Sequence, residues 1–229
     1  MGLSVEVGVL AQLLADDPEG AEWLSDGLKA ASVLVVEQGA DPHVEPQTLP
    51  VLESRARVRS YPYSFLHYLR RAYAYAVSRR DWVFEPVPVG NDPAKDPVVE
   101  DETFMMESHL LCHSDSEGFY LPVDFADFAT GEVPGRLVCS TQRLRRELLK
   151  VAPVLGIDVG DDLSDEEAER LNALISAEEG PWIELAVWLS HWEAARLSIA
   201  HNTAIVYTCL LYTSPSPRDA TLSRMPSSA

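Results

Sequence analysis

Residues 182–200 constrain the fold more than any other part of the sequence. Apolar residues lie on nearly every side of a helix drawn through this segment. A helix that is hydrophobic all round is buried, either in the core of a domain or in a membrane. Glu184, His191 and Glu193 interrupt the segment, so its apolar runs are too short to span a bilayer. The sequence therefore predicts a central core helix that other elements must surround.

Amphipathic helices are predicted to supply part of that surrounding layer, because apolar residues recur at every third or fourth position. Three of them have clear N-terminal signals: Asp17 before Pro18, Ser140, and Ser164 three residues before Glu167. The predicted helices cover residues 3–15, 18–38, 61–80, 141–155 and 165–177. In the helix over 61–80, Arg70 and Arg71 are predicted to point away from the apolar side.

Short strands are predicted in the middle and at the end of the chain. The sequence predicts two strands joined by a polar turn, over residues 109–113 and 118–125. It predicts two more strands over residues 136–139 and 203–207. Proline-rich loops occupy residues 41–58 and 81–97. The pattern predicts an α+β fold, a mostly helical single domain over residues 1–208 with a small antiparallel sheet.

The charge balance limits the classes of partner. The chain has 36 acidic and 18 basic residues, a formal net charge of −18. Such a surface repels the phosphates of nucleic acids and the anionic head groups of membranes, so both are excluded as partners. A basic protein partner is favoured instead. Composition alone does not set the oligomeric state.

The N-terminal residues and the cysteines predict a cytoplasmic protein. The first residues lack the basic start of a secretory signal, and Glu6 interrupts their apolar run. The three cysteines form no paired framework, which suits a reducing compartment. Cys112 and Cys139 stand in apolar surroundings, so they are predicted to be buried and inert thiols.

The polar cluster that most suggests chemistry comprises Glu107, His109, His113 and Asp115, with Glu117 close by in the sequence. The histidines are four residues apart, which puts them on one side of the backbone in a helix or a strand. Two imidazoles and a carboxylate can bind zinc or a similar divalent metal. The cluster lacks the zincin motif, because Leu110 follows His109 where that motif has Glu. Histidines hydrogen-bonded within a strand and turn are the structural alternative. No other cofactor is indicated.

Two further groups of polar residues are interpreted as structural. His191 and Glu193 are two positions apart and face different sides of a helix, while His201 lies near the helix C-terminus, where a cation is favoured. Arginines alternate with tyrosines between residues 55 and 80. In a basic protein that pattern would indicate nucleic-acid binding. In this acidic chain the arginines are predicted to pair with its own carboxylates or with an acidic region of a partner.

Residues 209–229 look foreign to the rest of the chain. They begin Cys-Leu-Leu-Tyr-Thr-Ser-Pro-Ser-Pro-Arg-Asp and end Ser-Arg-Met-Pro-Ser-Ser-Ala. This segment resembles translated adapter sequence from transposase-based sequencing libraries, and we predict that it is an artefactual disordered tail. Without it, 16 basic and 35 acidic residues remain, a net charge of −19.

Three segments carry a resemblance to a group of uncharacterised bacterial proteins. They are Tyr-Pro-Tyr-Ser-Phe-Leu-His-Tyr-Leu-Arg-Arg at 61–71, the stretch at 109–125, and the ending at 193–206. The resemblance implies a coherent bacterial protein, as a metagenomic source would supply, whose natural end lies close to Tyr207. It transfers no activity and no catalytic residue.

Two functional hypotheses follow from these patterns. The leading one is a non-enzymatic binding protein of the immunity type, whose acidic face docks a basic partner. It depends on the net charge and on the absence of a recognisable catalytic motif in the sequence. The alternative is a small metal-dependent hydrolase in which His109, His113 and a carboxylate hold an ion that activates water. A plain accessory subunit is the third reading.

Overall fold

The structure is a computed structural model that describes residues 2–210 of the chain. Its strands are β1 (Gly2–Val7), β2 (Ser60–Tyr61), β3 (Gly118–Leu121), β4 (Ala129–Thr130), β5 (Leu137–Ser140) and β6 (Ile205–Leu210). Its α-helices are α1 (Val9–Asp16), α2 (Pro18–Glu37), α3 (Tyr63–Ser78), α4 (Pro97–Phe104), α5 (His109–Cys112), α6 (Thr141–Val151), α7 (Asp165–Ala177) and α8 (Trp182–His201). A short 3-10 turn, Pro93–Lys95, precedes α4.

The strands form one mixed sheet in the order β2-β1-β6-β3-β5-β4. The pairing of β3 with β5 is parallel, with Phe119 opposite Val138, and the other pairings are antiparallel. The α+β single-domain fold with a small sheet is thus confirmed, except that the sheet is not purely antiparallel. The parallel pair arises because the chain crosses over through residues 122–136 before it returns as β5.

Helices cover both faces of the sheet, and each face has its own apolar cluster. The larger cluster joins α3, α5, α6, α7 and α8 to one face through residues such as Tyr120 and Ile205. The smaller cluster joins α1 and α2 to the other face through Phe119 and Val206. Successive residues of a strand point to opposite faces, so Ile205 and Val206 enter different clusters. Helix α2 is therefore held from one side only and presents its other side to solvent.

Helix α8 lies in the larger cluster, which confirms the predicted central helix. Its side chains from Glu184 to Ala195 are all buried. Trp188 and Trp192 stack with their ring centroids 5.1 Å apart, and the Trp188 indole N–H donates to the Leu148 carbonyl at 2.9 Å. No helix within the described part of the chain is long and apolar enough to cross a membrane.

Glu184 gives α8 a pH-dependent contribution to stability. Burial raises the pKa of its carboxyl from the ordinary 4.5 to about 7. A carboxyl whose pKa is raised by folding loses stability as pH rises, here across the window from 4.5 to 7. At about 1.4 kcal/mol per pKa unit, the loss totals about 3 kcal/mol. We expect Glu184→Gln to remove this slope, so that the variant gains about 3 kcal/mol relative to wild type between about pH 4 and pH 8.

Chemical denaturation of both proteins across this pH range measures the effect. Glu178→Gln is the matched control, because Glu178 is exposed at the end of α7 and should leave the pH profile of stability unchanged. A stability difference between Glu184→Gln and wild type that stays constant with pH would contradict the expectation.

Several helix starts agree with the predictions. The Asp17 side chain accepts a hydrogen bond from the Gly20 N–H at 3.1 Å. The Ser140 and Ser164 hydroxyls likewise accept from the N–H groups of Arg143 and Glu167. Each bond satisfies an otherwise unpaired amide of a first turn, which is why these residues fix the start of their helices.

The prediction of a helix over residues 3–15 is wrong. Residues 2–7 form β1, and the helix starts only at Val9, after Gly8 adopts a left-handed conformation with φ +72°. The apolar residues of this segment fit a helical stripe, but β1 lies between β2 and β6 and pairs with both. Long-range pairing with the C-terminal strand overrides the local pattern. Helix α4 was not predicted either; it begins at Pro97, the last residue of the predicted loop over 81–97.

Strand β6 continues through residues 209 and 210, where it pairs with β1 opposite Leu3 and Gly2. The first two residues of the predicted tail thus belong to the sheet. The remainder, residues 211–229, lies outside the described residues, and the adapter resemblance stays a prediction.

Candidate functional site

The segment 109–113, predicted as a strand, is instead the short helix α5 followed by His113. Both ends of α5 are held by side chains from distant helices. At its start, the Glu147 carboxylate of α6 accepts from the N–H groups of His109 and Leu110, at 2.9 and 2.7 Å. At its end, the Arg70 guanidinium of α3 donates to the Leu110 and His113 carbonyls, at 2.8 and 2.5 Å. An anion at the N-terminus and a cation at the C-terminus also match the helix dipole.

Both ring nitrogens of His109 are engaged within the fold. Its Nδ1 accepts from the Ser140 N–H at 2.9 Å, and its Nε2 lies 3.0 Å from the Ala126 carbonyl. The ring is buried, and Phe125 and Phe128 meet it edge-on. Burial lowers the pKa of the imidazole. His109 therefore joins α5 to β5 and to the loop that follows β3.

His113 lies in a different environment, between two tyrosines. Its ring stacks on Tyr120 with centroids 4.2 Å apart and meets Tyr207 at 4.4 Å. The Nδ1 faces the Ser114 carbonyl at 2.9 Å, while the buried Nε2 has no hydrogen-bond partner among residues 2–210. Burial lowers the pKa of His113 to about 3. The ring is thus held neutral in an aromatic setting.

The two carboxylates predicted with these histidines are placed elsewhere. Asp115 pairs with Arg70 and lies 3.3 Å from the His67 ring, so its carboxylate is already engaged by side chains of α3. Burial acts to raise the Asp115 pKa, but the hydrogen bond from His67 and the charge of Arg70 hold it below its usual range. Glu107 is exposed. Residues 2–210 contain no group of three or more His, Cys, Asp or Glu side chains arranged to hold a metal.

The other polar groups have structural roles. The Tyr207 hydroxyl is bonded to His191 Nε2, and His191 Nδ1 donates to the Val187 carbonyl at 2.8 Å. Glu193 is buried between Arg55 and Arg196 and ties the 53–57 segment to α8. Burial raises the thiol pKa of Cys112 and Cys139, so neither is activated.

Arg70 and Arg71 are buried, so the prediction that they face away from the core is wrong. Their side chains reach inward to Asp115 and Asp96. The prediction that arginines pair with the protein's own carboxylates is confirmed for these two and for Arg55 and Arg57. An arginine can be buried when its donors meet carboxylates and carbonyls.

Internal ion pairs occupy most of the basic side chains. Within residues 2–210, the basic residues paired with the protein's own carboxylates are Lys29, Arg55, Arg57, Arg70, Arg71, Lys95, Arg143, Arg145, Arg146, Arg170 and Arg196. The carboxylates left over are consequently not neutralised by cations of the same molecule. Their positions decide which surface carries the free negative charge.

The first such surface is the outer stripe of α2, which we call the α2 stripe and define as Glu19, Glu22, Trp23 and Asp26. These positions fall within about 100° around the helix axis, because each residue advances by about 100°. All four are exposed. Glu19 and Glu22 have no ion pair in the described structure, and Asp26 meets only Lys29. That pair is itself exposed and contributes little.

The second surface is the end of α4, defined as Glu100, Asp101, Phe104 and Glu107. All four side chains are exposed, and none of the three carboxylates has an ion pair in the part of the chain that the structure describes. The corresponding acidic segment around α7 differs, because Arg57, Arg145 and Arg170 neutralise several of its carboxylates. The α2 stripe and the α4 end are thus two exposed surfaces whose carboxylates have little or no internal pairing within residues 2–210.

A cavity of about 780 Å³ lies between β1, the 47–54 segment and α8. Its lining mixes aliphatic side chains with Glu6, Arg59 and Ser190. The volume suits a small ligand. Its charged groups are one of each sign, and they do not form a catalytic arrangement of nucleophile, base and oxyanion donors.

Fold and surface together define an acidic α+β protein. Within residues 2–210 it carries unpaired carboxylates on exposed helices and holds most of its cations in internal ion pairs. The family model described as "Putative DNA-mimic protein" matches residues 1–207. The chain therefore belongs to this family. Searches of curated proteins and of solved structures gave no match.

This family corrects the functional hypotheses drawn from the sequence. The immunity-type prediction is wrong, because the family is described by mimicry of DNA. The family description also gives no support to the hydrolase alternative. The signal that could have led to the family was already present: a net charge of −18 without a catalytic motif. That charge predicts repulsion of nucleic acid and a basic partner, and a surface that repels phosphates can also replace them on such a partner.

Proposed function

We propose that this protein imitates the phosphate backbone of DNA and occupies the DNA-binding surface of a protein that normally binds DNA. The family description and the free carboxylates of the α2 stripe support the proposal. The expected partner is basic, since a DNA-binding surface carries lysines and arginines that contact phosphates. The protein binds no nucleic acid itself, because its own charge repels it.

The charge spacing along α2 resembles that of a nucleic-acid strand. Glu19, Glu22 and Asp26 of the α2 stripe are separated by seven helical steps in all, or about 10 Å at 1.5 Å per residue. Three charges over that length give one per about 5 Å, against one per about 3.4 Å along a single DNA strand. A surface arranged to contact successive phosphates can therefore meet successive carboxylates.

The rigidity of α2 supports this role. Leu24, Leu28 and Val35 anchor the helix against the sheet, and Asp17 fixes its first turn. The stripe thus keeps its spacing without a partner. Binding then costs less entropy than it would for acidic side chains on a mobile tail.

The first experiment tests competition with DNA. The full chain is immobilised, exposed to a bacterial lysate, and washed with duplex and single-stranded DNA or with an uncharged peptide-backbone analogue of the same base sequence. We expect the DNA washes to release bound proteins. The wash with the uncharged analogue should release almost none of them. Those proteins should be DNA-binding proteins by mass spectrometry. Retained proteins that DNA does not displace would contradict the proposal.

The second experiment locates the contact surface. We expect Glu19→Gln/Glu22→Gln/Asp26→Asn to bind the DNA-releasable partner about 10- to 100-fold more weakly, from three charge pairs of about 0.5–1 kcal/mol each. The variant should also show a shallower dependence of affinity on salt, because fewer charge pairs form. Isothermal titration at several salt concentrations measures both quantities.

The matched control removes three exposed charges on α7 and just after its end, none with an ion pair in the described structure, as Glu166→Gln/Glu178→Gln/Glu179→Gln. It changes the net charge by the same amount and should weaken binding only slightly. Equal weakening by the two triple variants would show that overall charge, rather than the α2 stripe, governs association.

A further inference from the structure

Within residues 2–210, exposed aromatic side chains are found only on the α2 stripe and the α4 end. Among the Phe, Trp and Tyr residues that the structure describes, only Trp23 and Phe104 are exposed, at 65% and 85% of their surface. Trp23 stands in the α2 stripe, and Phe104 stands at the α4 end. The remaining aromatic residues in the described range are buried or half-buried.

Both rings are exposed, although the packing of the fold does not require either of them at the surface. Trp23 points away from the apolar cluster that holds α2, and Phe104 is the last residue of α4, outside the larger cluster. Leaving large aromatic surface in water forgoes the stabilisation that burial would give. An exposed tryptophan at the centre of a charged surface is typical of a binding hot spot.

Each ring is placed among carboxylates in a way that resembles a nucleotide. On α2, Glu19 lies one turn before Trp23 and Asp26 lies almost one turn after it, so both flank the ring on the same face. At the α4 end, Glu100 precedes Phe104 by four residues and occupies the same face of that helix. A flat π-surface between two negative charges is the pattern of an unstacked base between its phosphates.

Duplex DNA does not offer this pattern, because its bases are stacked inside the helix and the phosphates are outside. Single-stranded DNA does offer it. Proteins that bind single strands combine a basic groove for the backbone with aromatic or arginine side chains on which bases stack. We infer that the partner is a single-stranded nucleic-acid-binding protein, and that Trp23 and Phe104 take the places of bases on its stacking surfaces.

This inference rests on the proposed function and adds the class of partner to it. The test uses the immobilised full chain with its bound partner from the lysate. Release is measured against oligothymidylate and against duplex DNA, at equal total phosphate. We expect oligothymidylate to release the partner at a concentration at least about tenfold lower, since each stacked base contributes strongly. Release by duplex DNA at an equal or lower concentration would overturn the inference and leave the proposed function in place.

Variants at the rings provide the second measurement. We expect Trp23→Leu to weaken binding of the released partner about tenfold, with the salt dependence unchanged, because a stacking contact is lost and no charge is altered. Trp23→Phe should retain most of the affinity, since phenylalanine still offers a ring. Phe104→Leu should weaken binding in the same way. Val51→Ala is the control, because Val51 is 89% exposed and lies outside both acidic surfaces.

The two proposals fail in different ways. If neither form of DNA releases any bound protein, the proposed function fails, and the inference fails with it. If DNA releases the partner but Trp23→Leu and Phe104→Leu bind like wild type, only the inference is overturned. If Trp23→Phe is as weak as Trp23→Leu, the ring is not acting as a stacking surface, and the inference is again overturned.

Discussion

Replacing Arg70 by alanine is expected to lower the free energy of unfolding by about 3–5 kcal/mol, because two backbone carbonyls each lose a charged hydrogen-bond donor at about 1.5–3 kcal/mol. Its guanidinium is buried and joins three acceptors: the Leu110 and His113 carbonyls and the Asp115 carboxylate. The variant leaves both carbonyls without this donor and removes the cation beside Asp115. Denaturant unfolding followed by circular dichroism measures the loss.

Two further variants give this expectation its specificity. Arg70→Lys keeps the charge but presents a point donor where the guanidinium fork reaches three groups, so we expect it to recover less than half of the loss. Arg80→Ala, at an exposed arginine without an ion pair in the described structure, should change stability by no more than about 0.5 kcal/mol. Full recovery by lysine would mean that charge alone, rather than the hydrogen bonds, holds the end of α5.

Glu147→Ala should lower the free energy of unfolding by about 2–5 kcal/mol, because two buried N–H groups lose their acceptor at about 1–3 kcal/mol each. The carboxyl is buried under α5 and accepts from the amides of His109 and Leu110. Burial raises its pKa to about 7, against the opposing hydrogen bonds from these amides. The expected fall in Tm is about 5–15 °C for a domain of this size.

The control for this site is Glu166→Ala, which removes an exposed carboxylate from the first turn of α7 and should cost less than about 1 kcal/mol. Glu147→Gln should fall between the two, because its amide oxygen accepts one of the N–H groups while its NH₂ group cannot accept the other. A stability of Glu147→Ala close to wild type would show that α5 keeps its form without the acceptor.

Arg70 and Glu147 also explain why part of the fold could not be predicted from the sequence. The central helix and the starts at Asp17, Ser140 and Ser164 were predictable, because their signals are local: apolar periodicity and a side chain that caps the first turn. Helix α5 has four residues, too few for periodicity to indicate a helix. Its ends are fixed by Arg70, 40 residues before Leu110, and by Glu147, 37 residues after it. No local pattern contains that information.

At the candidate site, too, local sequence signals were predictable and long-range contacts were not. The sequence drew attention to His109 and His113 because histidines four residues apart suggest a metal ligand pair. In the structure their rings meet different neighbours, Phe125 and Phe128 in one case and Tyr120 and Tyr207 in the other. The excess of carboxylates was evident from composition. Which of them remain free could be known only once the internal ion pairs were placed.

The one-sided attachment of α2 has a consequence for how salt acts on this protein. Like charges on its solvent side repel one another across a few ångströms, and dissolved ions shield that repulsion. Added salt is therefore expected to increase the folding stability of the isolated protein and, at the same time, to lower its affinity for a basic protein partner. A cationic partner shields the same charges by direct contact. Binding therefore reduces the electrostatic repulsion that is present along α2 in the free protein.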